Sequence, residues 1–288
     1  MSNGGGGSRT AVKEERDQAM PGSDIPYEVN FSRPNVARMY DYYLGGRDNY
    51  PADREAARRV LGAAPDVPLA ALENREFVKR AIQFLTRERG IRQFVDIGPG
   101  LPTQGNVHQL ARQHDPGAHI VYVDNDTVVV AHSRSLLEDV PGVTVIPGDL
   151  REPERILADQ QLRAIIDFSK PVALCMTLVF HFVPPDDDPY GVVARFGDAL
   201  CPGSFLMLSH VTSDGRETGT LSEVDHAYEN ANAPLIMRTR EQVAEFFNGF
   251  KLIEPGVVFL SQWRPTGEYY AQGGTRWGYC GVGEKFGR

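Results

Sequence analysis

Hydrophobic and polar positions follow three regimes along the chain. Residues 1–29 hold Gly4-Gly5-Gly6-Gly7-Ser8, a mixed-charge run and Pro21-Gly22-Ser23-Asp24. They offer little apolar surface to bury and read as a flexible tail. From Ser32-Arg33-Pro34 the spacing turns helical, with a capping hydroxyl and a proline in the first turn. That helix carries Val36, Met39, Tyr40 and Tyr43 and stops at Gly45-Gly46. Two more helices are expected, over about 54–61 and 69–89. Residues 30–90 therefore form a helical lead-in.

Beyond residue 90 short apolar runs alternate with helical stretches. Strands are expected at 93–97, 119–123, 143–146, 172–180 and 205–210, with helices between them near 104–113, 127–137, 154–166 and 191–200. Such alternation builds a parallel sheet with helices on both faces. Thr239-Arg240-Glu241-Gln242 opens one more helix with a capping box. The runs 251–253, 257–263 and 277–282 then follow, with no helix between the last two, and predict an antiparallel hairpin at one sheet edge. Residues 212–238 read as a long insert that carries Tyr228 and Met237 and is able to cap an acceptor pocket.

In an open parallel sheet ligands bind beyond the carboxyl ends of the strands, where strand order reverses. Three strand ends here carry suitable chemistry. The first is Asp96-Ile97-Gly98-Pro99-Gly100-Leu101-Pro102-Thr103, a turn that brings backbone close to a ligand. A dinucleotide fingerprint expects glycine at 103, so a diphosphate fits poorly. The second is Asp124-Asn125-Asp126, spaced to grip a ribose diol, since a carboxylate accepts from two hydroxyls. The third is Gly148-Asp149-Leu150, where an acid can accept from an adenine amine. Together they suit adenosine without a diphosphate.

The stretches RPNVARMYDYYLGGRDNY (33–50), FVDIGPGLPTQGNVHQLA (94–111), VYVDNDTVVVAHSRSLL (121–137), HFVPPDDDPYGVVARFGDALCPGSFLMLSH (181–210) and GFKLIEPGVV (249–258) make the chain similar to a known family. It resembles the S-adenosylmethionine-dependent methyltransferases once catalogued as a bacterial domain of unknown function, from about residue 30 onward. The resemblance implies a Rossmann-like, mostly parallel, seven-stranded α/β sheet with an antiparallel last hairpin, here behind an N-terminal helical cap. It implies S-adenosyl-L-methionine as cofactor, with Asp96, Gly98 and Gly100 by its methionine part, Asp124 at the ribose and Asp149 at the adenine. Thr103, Asn125 and Leu150 join them as neighbours. Pro99 departs from the small polar residue often found there and removes one backbone donor.

Other residues weigh less. Tyr43, Gly45, Gly46 and Asn49 are expected in a lid over the cofactor, because a sulfonium is attracted to aromatic faces and Asn49 or Arg47 can meet a carboxylate. Packing of Tyr40 and Tyr43 is the plainer alternative. His181 and His210, just past two strands, are candidate general bases. His108 reads as a packing or capping residue, and Asp186-Asp187-Asp188 as a solvated loop. With no close ligand pair, a catalytic metal is not expected.

Composition changes little but excludes some classes. The chain has 288 residues, a formal charge of −8 and 41% hydrophobic residues. The acidic balance disfavours a nucleic-acid acceptor or an anionic membrane surface. Three scattered cysteines and no secretory signal fit a reducing cytoplasm. The expected activity is methyl transfer to oxygen or nitrogen of a small molecule. A nicotinamide-dependent oxidoreductase and a non-catalytic S-adenosylmethionine-binding protein remain as alternatives.

Overall fold

The expected alternation of strands and helices forms in the computed structural model, which describes residues 31–102, 105–266 and 273–287. The tail 1–29 and Thr103 lie outside the described residues. Five strands run parallel: β1 (Gln93–Ile97), β2 (His119–Asp124), β3 (Val143–Pro147), β4 (Ala173–Thr177) and β5 (Phe205–Val211). Three follow: β6 (Phe250–Leu252), β7 (Val258–Phe259) and β8 (Gly278–Lys285). The order across the sheet is β3-β2-β1-β4-β5-β8-β6, with two-residue β7 also pairing β8, so the Rossmann-like sheet is seven strands wide. Strand order reverses between β1 and β4, and the ligand crevice of such sheets opens there.

The period-two pattern sorts side chains onto two faces. Val95, Val121, Leu174 and Leu206 point to one face, against Ile156, Leu162, Val192 and Phe196. Those four come from α6 (Pro153–Leu157), α7 (Gln160–Ile165) and α8 (Pro189–Asp198). One helix was expected over 154–166; Asp159 splits it by capping the second piece. Phe94, Ile120, Cys175 and Phe205 point to the other face. There they meet Phe77, Ile82 and Leu85 of α3 (Val67–Arg87) and Leu110 of α4 (Val107–Arg112).

The C-terminal strands differ from the expectation in detail. β8 enters antiparallel between β5 and β6, so β6 and not the last strand forms the edge. Glycines let it fit: a Cβ at Gly283 would lie 2.8 Å from Phe250 Cβ, and one at Gly281 would lie 3.0 Å from Phe247 Cζ. The run 257–263 is mostly not strand, because Leu260–Gln262 turn into a 3-10 helix and bury Leu260 and Trp263 against α3.

The lead-in comprises α1 (Val36–Tyr43), α2 (Pro51–Ala63) and the start of α3. The insert 212–238 is not a bare loop. It holds α9 (Thr218–Tyr228), whose Leu221, Val224, Ala227 and Tyr228 share a helical face and pack with α2. Met39, Tyr43, Ala57, Val60, Val224 and Trp277 form this cap's own apolar core. Asp53 pins it together. Fully buried, it accepts from the backbone N–H of Asn35 at 2.8 Å and Tyr50 at 2.8 Å, and pairs with Arg38 Nε at 2.8 Å. The remaining helices are α5 (Thr127–Leu137) and α10 (Arg240–Glu245).

Candidate functional site

A cavity of about 360 Å³ lies between the carboxyl ends of β1–β4 and the cap. That size suits a small organic ligand. Gly98, Gly100, Asp124, Asn125, Asp149, Leu150, Tyr43 and His181 all line it. Gly98 and Gly100 take φ of +68° and +67°, which a side chain would strain. A Cβ at Gly98 would also come 2.5 Å from Val179 Cγ2.

Asp124 ends β2 at the cavity edge. Its Oδ2 accepts from Gly100 N–H at 3.2 Å and its Oδ1 from Asp126 N–H at 2.9 Å. A carboxylate has about four acceptor sites, so capacity for a diol remains. Burial pushes its pKa up to about 6, opposed by those backbone hydrogen bonds. Asp149 is different. Arg151 clamps it with two guanidinium nitrogens, at 3.0 and 2.6 Å, and also reaches Asp187 at 3.2 Å. These hydrogen bonds hold the Asp149 pKa below the usual carboxylate range despite burial. The third strand end thus presents an ion pair.

Asp96 does not line the cavity. It sits buried beneath the turn, near Arg75, Tyr122 and Cys175, and burial raises its pKa to about 7. Arg75 of α3 opposes that rise and Asp124 adds to it. Arg75 does line the cavity, and reaches Gly105 O and Asn106 Oδ1 at 3.4 Å. Sequence reasoning missed it, because a residue in the middle of the helix before β1 gives no hint of its target.

The rim after β4 is built with strain. Leu178 adopts φ +50°, unusual for a branched side chain, and lines the cavity. Its N–H donates to Ser209 Oγ at 3.0 Å, and Ser209 donates to Asn74 Oδ1 at 2.7 Å. Asn74 Nδ2 donates to Tyr40 Oη at 3.2 Å, and Tyr40 donates to Ala71 O at 3.2 Å. This relay ties the rim through α3 to the cap. The turned backbone carries His181 to the cavity. His181 is buried, and its Nδ1 has no hydrogen-bond partner. Burial first, then His210 and Arg238, hold its pKa well below the ordinary value.

Four expected residues stand elsewhere. His210 is fully buried and away from the cavity lining. Arg238 Nη1 donates to its Nε2 at 2.7 Å, and its Nδ1 donates to Val211 O at 2.7 Å. Both ring nitrogens are engaged, so His210 fixes Arg238, which in turn holds Phe180 O and Val183 O. Gly45, Gly46 and Asn49 also miss the lining. They close a turn on Asp41: Asn49 Nδ2 donates to Asp41 Oδ2 at 2.8 Å, and Gly46 leaves no room for a Cβ beside that carboxylate. The cap meets the cavity one helix earlier, through Asn35, Val36, Ala37, Tyr40 and Tyr43. His108 packs on Tyr122, and Asp188 caps α8. Among the described residues, no cluster of three His, Cys, Asp or Glu is placed to hold a metal, and no helix is long and apolar enough to cross a membrane.

The sequence profile of a family described as S-adenosyl methyltransferase matches residues 23–286. A DUF574 family protein from Streptomyces avermitilis is 37% identical, with a TM-score of 0.83 over 88% of this chain and 98% of that one. A putative methyltransferase from Thermobifida fusca is also 37% identical, with a TM-score of 0.84 over 90% and 97%. No curated protein matches the chain. Profile and relatives span both the lead-in and the sheet. The chain belongs to the S-adenosyl methyltransferase family and is an S-adenosylmethionine-dependent enzyme.

Proposed function

We propose that the enzyme methylates an oxygen or nitrogen of a small molecule in the cytoplasm. One observation carries this reading: the cofactor-type strand ends and His181 line the same cavity, closed over by a cap. Asp124, with acceptor capacity left at the cavity edge, fits a ribose diol. Gly98, Gly100, Asn125 and Leu150 surround it, with the Asp149–Arg151 pair toward the adenine side. S-adenosylmethionine supplies, when bound, a methyl on sulfonium sulfur, whose S–C bond breaks with its electron pair left on sulfur as the acceptor bond forms.

The protein's part is alignment and exclusion of water. α1 supplies Tyr40 and Tyr43 to the roof, and the Leu178 turn brings His181 to the floor's edge. Buried and neutral near pH 7, His181 has a ring nitrogen able to accept an acceptor proton. The free thiols Cys175, Cys201 and Cys280 accord with a reducing compartment.

Calorimetric titration with S-adenosylmethionine, S-adenosylhomocysteine and NAD tests the cofactor reading. Asp124→Ala should cost about 1.5–3 kcal/mol, roughly ten- to a hundredfold in affinity, in a folded protein. Tighter binding of NAD than of either sulfur nucleoside overturns the reading.

A further inference from the structure

The cavity has two chemically different ends. Its charged lining residues are Arg75, Asp124, Asp126, Asp149, Arg151 and Asp187, all on the strand-end loops or on α3 beside them. The opposite end is made by Val60 of α2, Val67 and Ala70 of α3, Val224 of α9, Leu235 and Trp277, with no ionised side chain among them. A charged group placed there would lose hydration, and no ionised side chain in that lining would compensate it directly.

This end is also aromatic and rigid. Trp277 Nε1 donates to Asp66 Oδ1 at 2.7 Å, and the Arg216 guanidinium lies 4.0 Å from the Trp277 ring centroid, so the indole is fixed. Phe182 and Tyr228 line the same region with ring centroids 6.3 Å apart. Tyr43 and Tyr228 bring their hydroxyls within 3.4 Å of each other, giving a neutral donor and acceptor. His181 lines the same cavity beside Phe182, and its buried Nδ1 has no hydrogen-bond partner among the described residues. Flat aromatic walls favour a ring over a flexible chain, since a ring gains contact without losing rotamer freedom.

We propose that the methyl acceptor is a neutral, ring-bearing hydroxy compound. Its apolar body lies among α2, α3, α9 and Trp277, and its hydroxyl faces His181. The proposal rests on the methyl-transfer reading above and narrows it to a substrate class.

The test uses the full-length protein saturated with S-adenosylhomocysteine, and again without it. Calorimetry follows titration with 2-naphthol, 2-naphthoate and octan-1-ol. 2-Naphthol should bind at least tenfold tighter than either of the others. Val224→Trp should fill the apolar end and weaken 2-naphthol at least tenfold, while S-adenosylhomocysteine binds within threefold of wild type. If Val224→Trp loses the nucleoside as well, Ala70→Leu replaces it with the same expected result. No 2-naphthol binding at millimolar concentration overturns the proposal. So does equal or tighter binding of 2-naphthoate or octan-1-ol, or unchanged 2-naphthol binding by the filled variant. Failure of the wild type to bind S-adenosylhomocysteine would instead strike the cofactor reading, and the nucleoside-free arm still reports on the apolar end.

Discussion

Asn35 and Asp126 are two helix caps that hydrogen-bond to each other across the mouth of the cavity. Asn35 Oδ1 accepts from Ala37 and Arg38 at the start of α1, while its Nδ2 donates to Asp126 Oδ2 at 2.5 Å. Asp126 Oδ1 accepts from Val128 and Val129 at the start of α5. One polar contact thus fixes the cap to the loop that carries Asp124. Asn35→Ala should lower stability by about 1–3 kcal/mol through the lost cap and the lost charged hydrogen bond. Asn35→Asp keeps the α1 cap but sets two carboxylates together. If the link positions the roof, both variants should weaken S-adenosylhomocysteine binding in calorimetry. Normal binding by Asn35→Asp would make Asn35 a cap and nothing more.

Arg75 offers a planar donor fork at the end of the cavity nearest the glycine turn. It is expected to hold the carboxylate of the cofactor's amino-acid part. Arg75→Gln should weaken S-adenosylhomocysteine about ten- to a hundredfold, a charged hydrogen bond being worth about 1.5–3 kcal/mol. It should leave 5′-methylthioadenosine, which lacks that carboxylate, within threefold. Equal loss for both nucleosides would mean that Arg75 only braces the loop at Gly105 and Asn106.

The two histidines should separate in kinetics. His181→Ala should cut turnover of the true acceptor by about 10²–10⁴-fold with cofactor affinity near wild type. His210→Ala should chiefly lower the melting temperature, by leaving the buried Arg238 without one of its partners. A fall in turnover of similar size in both, at equal stability, would remove the distinction.

Four buried groups pull the pH dependence of stability in opposite directions. Burial holds His210 at about 3 and His181 well below its ordinary value. The unfolded chain then binds more protons below pH 6.5, so these two cost stability as pH falls. Asp96 at about 7 and Asp124 at about 6 do the reverse. They bind protons in the fold before the unfolded chain does, and their contribution fades as pH rises through 6–7. Between pH 4.5 and 6 the two acids oppose the histidines. Asp96→Asn removes one compensating acid, so its stability should fall by about 1.4 kcal/mol per pH unit relative to wild type on acidification across that range. Parallel curves in urea melts would show that Asp96 is ionised in the fold.

The sheet was legible because period-two apolar runs end in acids and glycines, and no tertiary contact is needed to read that. Asp124 and the 98–100 turn were legible for the same reason. The cap's detailed contacts were not. Gly45-Gly46 looks like a hinge at a ligand, yet the conformation serves Asp41 and Asn49 within the same turn. Nothing in the sequence singles out Asp53, yet its oxygens gather Asn35, Arg38 and Tyr50. α9 was hidden because Ser222, Glu223, Asp225 and His226 dilute its apolar face. His210 looks like a rim residue from the expected strand end, yet β5 runs on to Val211 and the buried ring turns to Arg238, 28 residues away.

The place of β8 has a consequence for the order in which the enzyme becomes safe from aggregation. Every other strand leaves the ribosome before 278–285, yet this segment fills an interior slot of the sheet. Until it arrives, β5 and β6 each present an open row of backbone donors and acceptors toward a gap. Such rows invite pairing with other chains. Chains stalled or cleaved shortly before residue 278 should therefore be the sticky species.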